Sequence, residues 1–172
     1  MNKLKKVILL GSIIVILFAA FLIYWTCQFH HNGINAPLIS DPAELEQDMT
    51  NSELAYQIDD NHRMTVSKMY LIENGDNVQI RFRVAYAALF GGRNLLRDMS
   101  WVIADSEENS YEGRLTLYPE KIAGIEMVCA TLSMSNEEFS LLSGKELTVK
   151  VDCAEYGENE NYGHCKLVIN MP

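Results

Sequence analysis

The most constraining feature of the sequence is an uncharged apolar run near its N-terminus. Val7 to Trp25 reads VILLGSIIVILFAAFLIYW, which is 19 residues without a charged side chain. As a helix, at about 1.5 Å per residue, the run would span roughly 28 Å, close to the hydrocarbon thickness of a bilayer. In lipid, only a helix satisfies the backbone hydrogen bonds within one segment. We therefore predict a transmembrane helix over residues 7–25, with the lipid bilayer as its partner.

Charged and aromatic residues at the two ends of this run predict its orientation. Lys3, Lys5 and Lys6 precede the run, Tyr24 and Trp25 close it, and the next cationic residue is Arg63. Cationic residues are retained on the cytoplasmic side, and Tyr and Trp lie at membrane interfaces. We expect a single-pass protein of the cell membrane, with residues 1–6 as a cytoplasmic tail and the C-terminal domain outside.

Two other interpretations of the N-terminal run compete with a membrane helix. A cleaved signal peptide requires small residues before the cut, and the one suitable site, Phe18-Ala19-Ala20, has Phe in place of a small residue. A lipoprotein would need a lipid-modified cysteine after small residues, whereas Tyr24-Trp25-Thr26 precedes Cys27. Both alternatives remain open, and an uncleaved membrane helix is favoured.

The charge of the remaining chain restricts its partners. Residues 1–29 contain three lysines and no acid, which leaves 11 Lys and Arg against 23 Asp and Glu, a net charge of −12. An acidic domain repels phosphate backbones and anionic lipid surfaces, so nucleic-acid binding is not expected.

A polar segment over residues 26–60 is predicted to be a tether with one short helix. Asp41 can cap that helix, Pro42 suits its first position, and Glu44 completes a capping box, so the helix would run to about Met49. Residues 61–172 would then form the extracytoplasmic domain.

That domain is predicted to be all-β. Val78, Ile80, Phe82 and Val84 alternate with polar residues, which is typical of a strand with one buried and one solvated face. The preceding Asn74-Gly75-Asp76-Asn77 suits a tight hairpin. A helical turn is expected at Asn136–Leu142, and other strands are expected at Met64–Ile72, Trp101–Ala104, Tyr111–Tyr118, Ile125–Met134, Glu146–Cys153 and Cys165–Met171.

The strand pattern resembles a known class of domain. Trp101-Val102-Ile103-Ala104-Asp105, followed by a polar turn and Tyr111, is similar to small membrane-tethered immunoglobulin-like domains of Gram-positive bacteria. The resemblance implies an antiparallel β-sandwich of about seven strands. The chain departs from antibody domains, since no Cys lies on the second strand and no Tyr lies two residues before Cys153.

The last two predicted strands suggest a disulfide. If Val151 lies opposite Leu167, then Cys153 lies opposite Cys165, and the apolar residues share one face. Directly opposed residues are close enough for a disulfide, which an oxidising compartment permits. We expect a Cys153–Cys165 bond, with two buried thiols as the alternative. Cys129 is expected to be a core thiol, and Cys27 could pair two copies of the chain at the membrane edge.

Two loops and the histidines are the remaining candidate sites. The loop 154–164 contains several acidic residues that could bind calcium, although it lacks the EF-hand spacing and is expected to be a solvated hairpin loop. His164 lies beside Cys165, but no metal or thiol-nucleophile pattern accompanies it, so no metal and no cofactor are predicted. In the loop 90–98, an apolar tip with an arginine rim is a candidate partner-binding loop formed by Arg93, Leu95, Leu96 and Arg97. Packing of the two leucines against the core is the alternative.

Three functions are compatible with these features. The favoured one is a non-catalytic binding or accessory module held at the membrane, with a protein partner in the cell envelope. The second is an envelope hydrolase that uses carboxylates such as Asp105, Glu107 and Glu108. The third is the ectodomain of a sensor complex, which would need a partner helix because only six residues precede the membrane helix.

Overall fold

A computed structural model describes residues 3–31, 50–86, 99–122, 125–153 and 163–172. The chain divides into two compact units, Met1–His31 and Asn32–Pro172. The predicted short helix from Asp41, the loop 90–98 and most of the loop 154–164 lie outside the described residues.

The first unit is a single long helix. Helix α1 extends over Lys3–His30, and an 18-residue window of its segment Val7–His30 has a mean hydropathy of 2.9. By length and composition this segment can cross a membrane, and its 24 residues span about 36 Å. The helix continues five residues beyond Trp25, so the start of the predicted tether is helical.

The second unit is built from strands with two short helical pieces. A 3-10 turn covers Glu112–Arg114, and helix α2 covers Asn136–Leu142. The described residues form ten strands, which are β1 Thr50–Leu54, β2 Tyr56–His62, β3 Met64–Val66, β4 Met69–Asn74, β5 Asn77–Tyr86, β6 Met99–Asp105, β7 Leu115–Ile122, β8 Ile125–Ser135, β9 Glu146–Cys153 and β10 Gly163–Asn170.

These strands form two antiparallel sheets around one core. The six-stranded sheet has the order β1-β4-β5-β8-β7, with β3 also paired to β5, and the four-stranded sheet has the order β2-β10-β9-β6. The inner faces of both sheets contribute to a single buried cluster, for which Ile80, Phe82, Leu132, Val149 and Leu167 are representative. The all-β prediction with two packed antiparallel sheets is therefore confirmed at this level.

The predicted strands are largely present, and the differences have local causes. Ser67 and Lys68 interrupt the run Met64–Ile72, dividing it into β3 and β4. Backbone at residues 112–114 forms the 3-10 turn, so the strand expected at Tyr111 begins at Leu115. Residues 50–62 are strands β1 and β2, although the sequence places nearly all of them in the tether.

The β4–β5 hairpin matches its prediction. Asn74 pairs with Asn77 across a turn in which Gly75 has a φ of 55°, a conformation that favours glycine. Val78, Ile80, Phe82 and Val84 are buried, as the alternation predicts.

The opposite face of β5 was predicted to be solvated, and this was wrong for its two arginines. Arg81 and Arg83 are only 4% and 7% exposed. Their neighbours on that face, Cys129 and Thr131 of β8, are also buried. The outer face of the six-stranded sheet is thus covered where β5 and β8 meet.

Helix α2 matches its predicted bounds because its N-terminus is capped. Ser135 accepts a hydrogen bond from the backbone N–H of Glu138, and the Glu138 carboxylate accepts one from the backbone N–H of Ser135. This reciprocal pair satisfies two donors that a helix end would otherwise leave open. Leu142 at the end of α2 is fully buried.

Candidate functional site

The predicted Cys153–Cys165 register is wrong by two residues. In the structure Cys153 lies opposite Gly163, Cys165 lies opposite Val151, and Leu167 lies opposite Val149. Both cysteines still lie on the inner face, but they are diagonal neighbours. No disulfide joins any of the four cysteines, all of which lie in described residues.

A two-residue shift explains why the face was right and the partner was wrong. Side chains alternate with a period of two, so only an odd slip moves the apolar residues to the solvent face. An even slip keeps every apolar residue buried and changes only the opposing residue. Strand β10 is also fixed on its other side by β2, with an irregularity between Lys166 and Leu167.

The buried thiols lack the properties of nucleophiles. Burial, followed by the negative charge of Asp152, raises the pKa of Cys165 to about 11. Burial also raises the pKa of Cys129, and Glu120 adds to the effect. Since the thiolate is the reactive species, both side chains are protonated and unreactive at neutral pH.

Asp105, one of the candidate hydrolase carboxylates, holds a turn together. Its carboxylate accepts hydrogen bonds from the backbone N–H groups of Glu107 and Asn109, both at 2.9 Å, and from the Asn109 side chain at 2.8 Å. The Tyr111 hydroxyl donates a fourth at 3.2 Å. These bonds, led by that of the Asn109 side chain, lower the pKa of Asp105, which is the opposite of what a general acid needs.

The predicted binding-loop residues Arg93, Leu95, Leu96 and Arg97 lie outside the described residues, as do the acidic residues of the loop 154–164. Both predictions stay predictions. The described end of the second loop contains Gly163 and His164, at the start of β10.

His164 belongs to a polar cluster that sequence reasoning missed. It lies directly opposite His62 of β2, with ring centroids 5.7 Å apart. Its Nε2 lies 3.1 Å from a carboxylate oxygen of Asp60. Next to this pair, the Lys166 ammonium lies 2.5 Å from the carboxylate of Asp59. The residues come from chain segments about a hundred positions apart, so no local spacing reveals the cluster.

The two sheets thus differ in their outer faces. The four-stranded sheet exposes this polar cluster on β2 and β10, and Val102 on β6 is also exposed. The six-stranded sheet has a partly buried ion pair on its outer face, in which Arg83 Nε lies 2.5 Å from a carboxylate oxygen of Glu120.

Among the described residues there is no group of three or more His, Cys, Asp or Glu side chains arranged to hold a metal ion. An open groove of about 420 Å³ lies at the start of α2, and its lining includes Arg114 and Glu138, which form an ion pair.

Comparison with known proteins finds no match of this chain to a protein family, to a curated protein or to a solved structure.

Proposed function

We propose that this chain is a membrane-anchored, extracytoplasmic and non-catalytic binding or accessory module with a protein partner in the cell envelope. The observation that supports it most directly is the 24-residue apolar segment Val7–His30, joined in sequence to a folded, acidic β-domain. A long apolar helix is costly in water and stable in lipid. The helix would keep the domain at the membrane surface, where the domain would contact its partner.

The orientation follows from the flanking charges. Three lysines precede the helix and the domain beyond it is acidic, with a net charge of −12 after residue 29. This distribution supports a cytoplasmic N-terminus and an outer domain. Uncleaved attachment to the membrane is part of the same proposal.

The non-catalytic part rests on the structural roles of the candidate reactive groups. Asp105 caps a turn through four hydrogen bonds, and the thiols of Cys129 and Cys165 are buried with raised pKa values. Groups engaged in this way contribute to folding. A domain that uses its polar groups for folding is more suited to presenting a surface than to chemistry.

The immunoglobulin-like character of the domain is a further part of the proposal. Two antiparallel sheets with a shared core support it, and Trp101 packs near Phe82 between the sheets with ring centroids 6.1 Å apart. Domains of this architecture commonly bind through their loops and sheet surfaces.

Topology is tested by labelling introduced cysteines from outside intact cells. In a Cys27→Ser background, the native thiols that remain, those of Cys129, Cys153 and Cys165, are buried. Leu141→Cys then adds a thiol at a position that is 70% exposed, whereas Leu142→Cys adds it at a fully buried one. We expect a membrane-impermeant maleimide to label the first variant and to spare the second. Labelling of Leu141→Cys only after cell lysis would contradict an outer domain.

Partner binding is tested in the same native membranes. A photo-reactive amino acid is placed at Val102 or Leu141, which are exposed, and at Leu95 in the predicted binding loop. A cross-linked product that forms from one position and does not form from the other two supports a specific contact. The absence of such a product at all three positions contradicts the binding module. If Leu95 gives the product, Leu95→Asp with Leu96→Asp should abolish it in a co-purification.

A further inference from the structure

His62 and His164 form a matched pair on the outer face of the four-stranded sheet. They are directly opposite each other on β2 and β10, and their rings are 28° from parallel. The neighbours of His164 on β10, Gly163 and Cys165, are buried on the inner side. His62 is exposed, and the His164 side chain is 37% exposed, so solutes can reach both imidazoles.

Asp60 determines which nitrogen of His164 carries the proton. An ionised carboxylate can only accept hydrogen bonds, so the Nε2 atom that lies 3.1 Å from it must be the protonated one. In the neutral ring the Nδ1 lone pair is then available to a ligand. A carboxylate that holds one nitrogen of an imidazole while the other binds a metal is a common arrangement in metal sites.

We propose that His62 and His164 bind a borderline divalent transition-metal ion, such as Cu²⁺ or Zn²⁺, as a two-imidazole site in which Asp60 positions His164. Water completes the coordination. Imidazole nitrogens suit these ions, whereas Mg²⁺ and Ca²⁺ prefer oxygen.

The separation of the rings is compatible with one bridging ion. With metal–nitrogen bonds of about 2.0 Å at a tetrahedral angle, the ring centroids would lie roughly 5 Å apart. The observed 5.7 Å is close to that value. With His164 held by Asp60, rotation of the exposed His62 side chain about its own bonds would turn its lone pair toward that of His164, with no change in backbone register.

The charges that face the pair favour a cation. Asp60 lies beside His164, and Asp152 of β9 lies directly opposite it on the other side. The nearby Lys166 is paired with Asp59, which offsets its charge. Proton competition for the two nitrogens should weaken binding at acid pH, since a metal requires the neutral imidazole.

The test is a titration of the full-length chain in detergent micelles with CuCl₂ or ZnCl₂ alone, using protein without a polyhistidine tag. Calorimetry should give one ion per chain. Electron paramagnetic resonance of the Cu²⁺ form should show coupling to two imidazole nitrogens. His62→Gln and His164→Gln should each lower the affinity at least tenfold and remove one nitrogen coupling. The matched control His31→Gln, a histidine of the first unit, should change neither.

Asp60→Ala tests the positioning role. It should retain both nitrogen couplings while lowering the affinity by about 10- to 100-fold. Equal losses in His31→Gln and His164→Gln, or unchanged binding in His62→Gln, would overturn the proposal. If a variant fails to fold, the wild-type protein can be titrated with Zn²⁺ at constant pH while ¹⁵N spectra of its imidazoles are recorded. Binding at the proposed site should shift the ring nitrogens of His62 and His164 together. Shifts confined to His30 and His31 would refute it.

Discussion

Two adjacent residues of β10 provide a direct test of the sandwich, because one points into the core and the next points out. Leu167 is 0% exposed and Val168 is partly exposed. Leu167→Ala removes three carbon atoms, worth about 2.4 kcal/mol at about 0.8 kcal/mol each, and leaves a cavity that costs about 1 kcal/mol more. We expect a loss of about 3 to 4 kcal/mol in the free energy of unfolding. Val168→Ala should cost less than about 1 kcal/mol.

The assay is urea unfolding of the full chain in lipid nanodiscs, in a Trp25→Phe background so that Trp101 reports on the domain alone. For a domain of this length, the Leu167→Ala loss corresponds to a fall in Tm of about 10 to 15 °C. Similar costs for the two substitutions, or a larger cost for Val168→Ala, would mean that the facing of β10 is wrong. The register of β10 against β2 and β9 would then be wrong as well.

Three further expectations follow from local contacts. Asp105→Asn should destabilise the domain at pH 7, and urea titrations at several pH values should show that the difference from wild type shrinks below about pH 4. The folded state lowers the pKa of Asp105, so its carboxylate stabilises the fold at pH values above the unfolded-state pKa. This stabilisation is lost as the pH falls through the folded-state pKa. Ser135→Ala should lower the free energy of unfolding by about 1 kcal/mol through loss of the α2 cap, whereas Ser140→Ala, further along the helix, should have a smaller effect in the same assay. In a Leu141→Cys variant, N-ethylmaleimide at pH 7 should modify the new thiol, at a position that is 70% exposed, well before Cys165, as peptide mass spectrometry would show, and equal rates would contradict the burial of Cys165.

Features with a strong local cause were predictable from the sequence. The apolar run fixes helix α1, the alternation in β5 fixes its buried face, and the Ser135–Glu138 capping box fixes the start of α2. In each case the residues that decide the structure lie within a few positions of one another.

Features that depend on tertiary context were not predictable. Residues 50–62 pair with β4 and β10, and these partners impose a strand on polar sequences such as Tyr56–His62 that show no apolar alternation. Arg81 and Arg83 occupy the outward positions of β5, and solvation of that face was a reasonable expectation for charged side chains. Their burial depends on how the outer face of the six-stranded sheet is covered, which is a property of the whole fold.

The register of the β9–β10 pair could not be predicted from the apolar pattern of the sequence. A slip of the register by an odd number of residues would cost several kcal/mol in the free energy of folding, because it would expose Leu147, Val149 and Val151 together. Burial of apolar residues does not distinguish two even registers, because each buries the same side chains against slightly different neighbours. In the structure β10 pairs with β2 and β9 at once, so its register with β9 must be compatible with both neighbours. The two-residue shift that separates Cys153 from Cys165 also places Asp152 opposite His164 on the outer face, while the separate β2–β10 register places His62 opposite His164. Any surface function of this sheet therefore depends on a register that the apolar pattern leaves open.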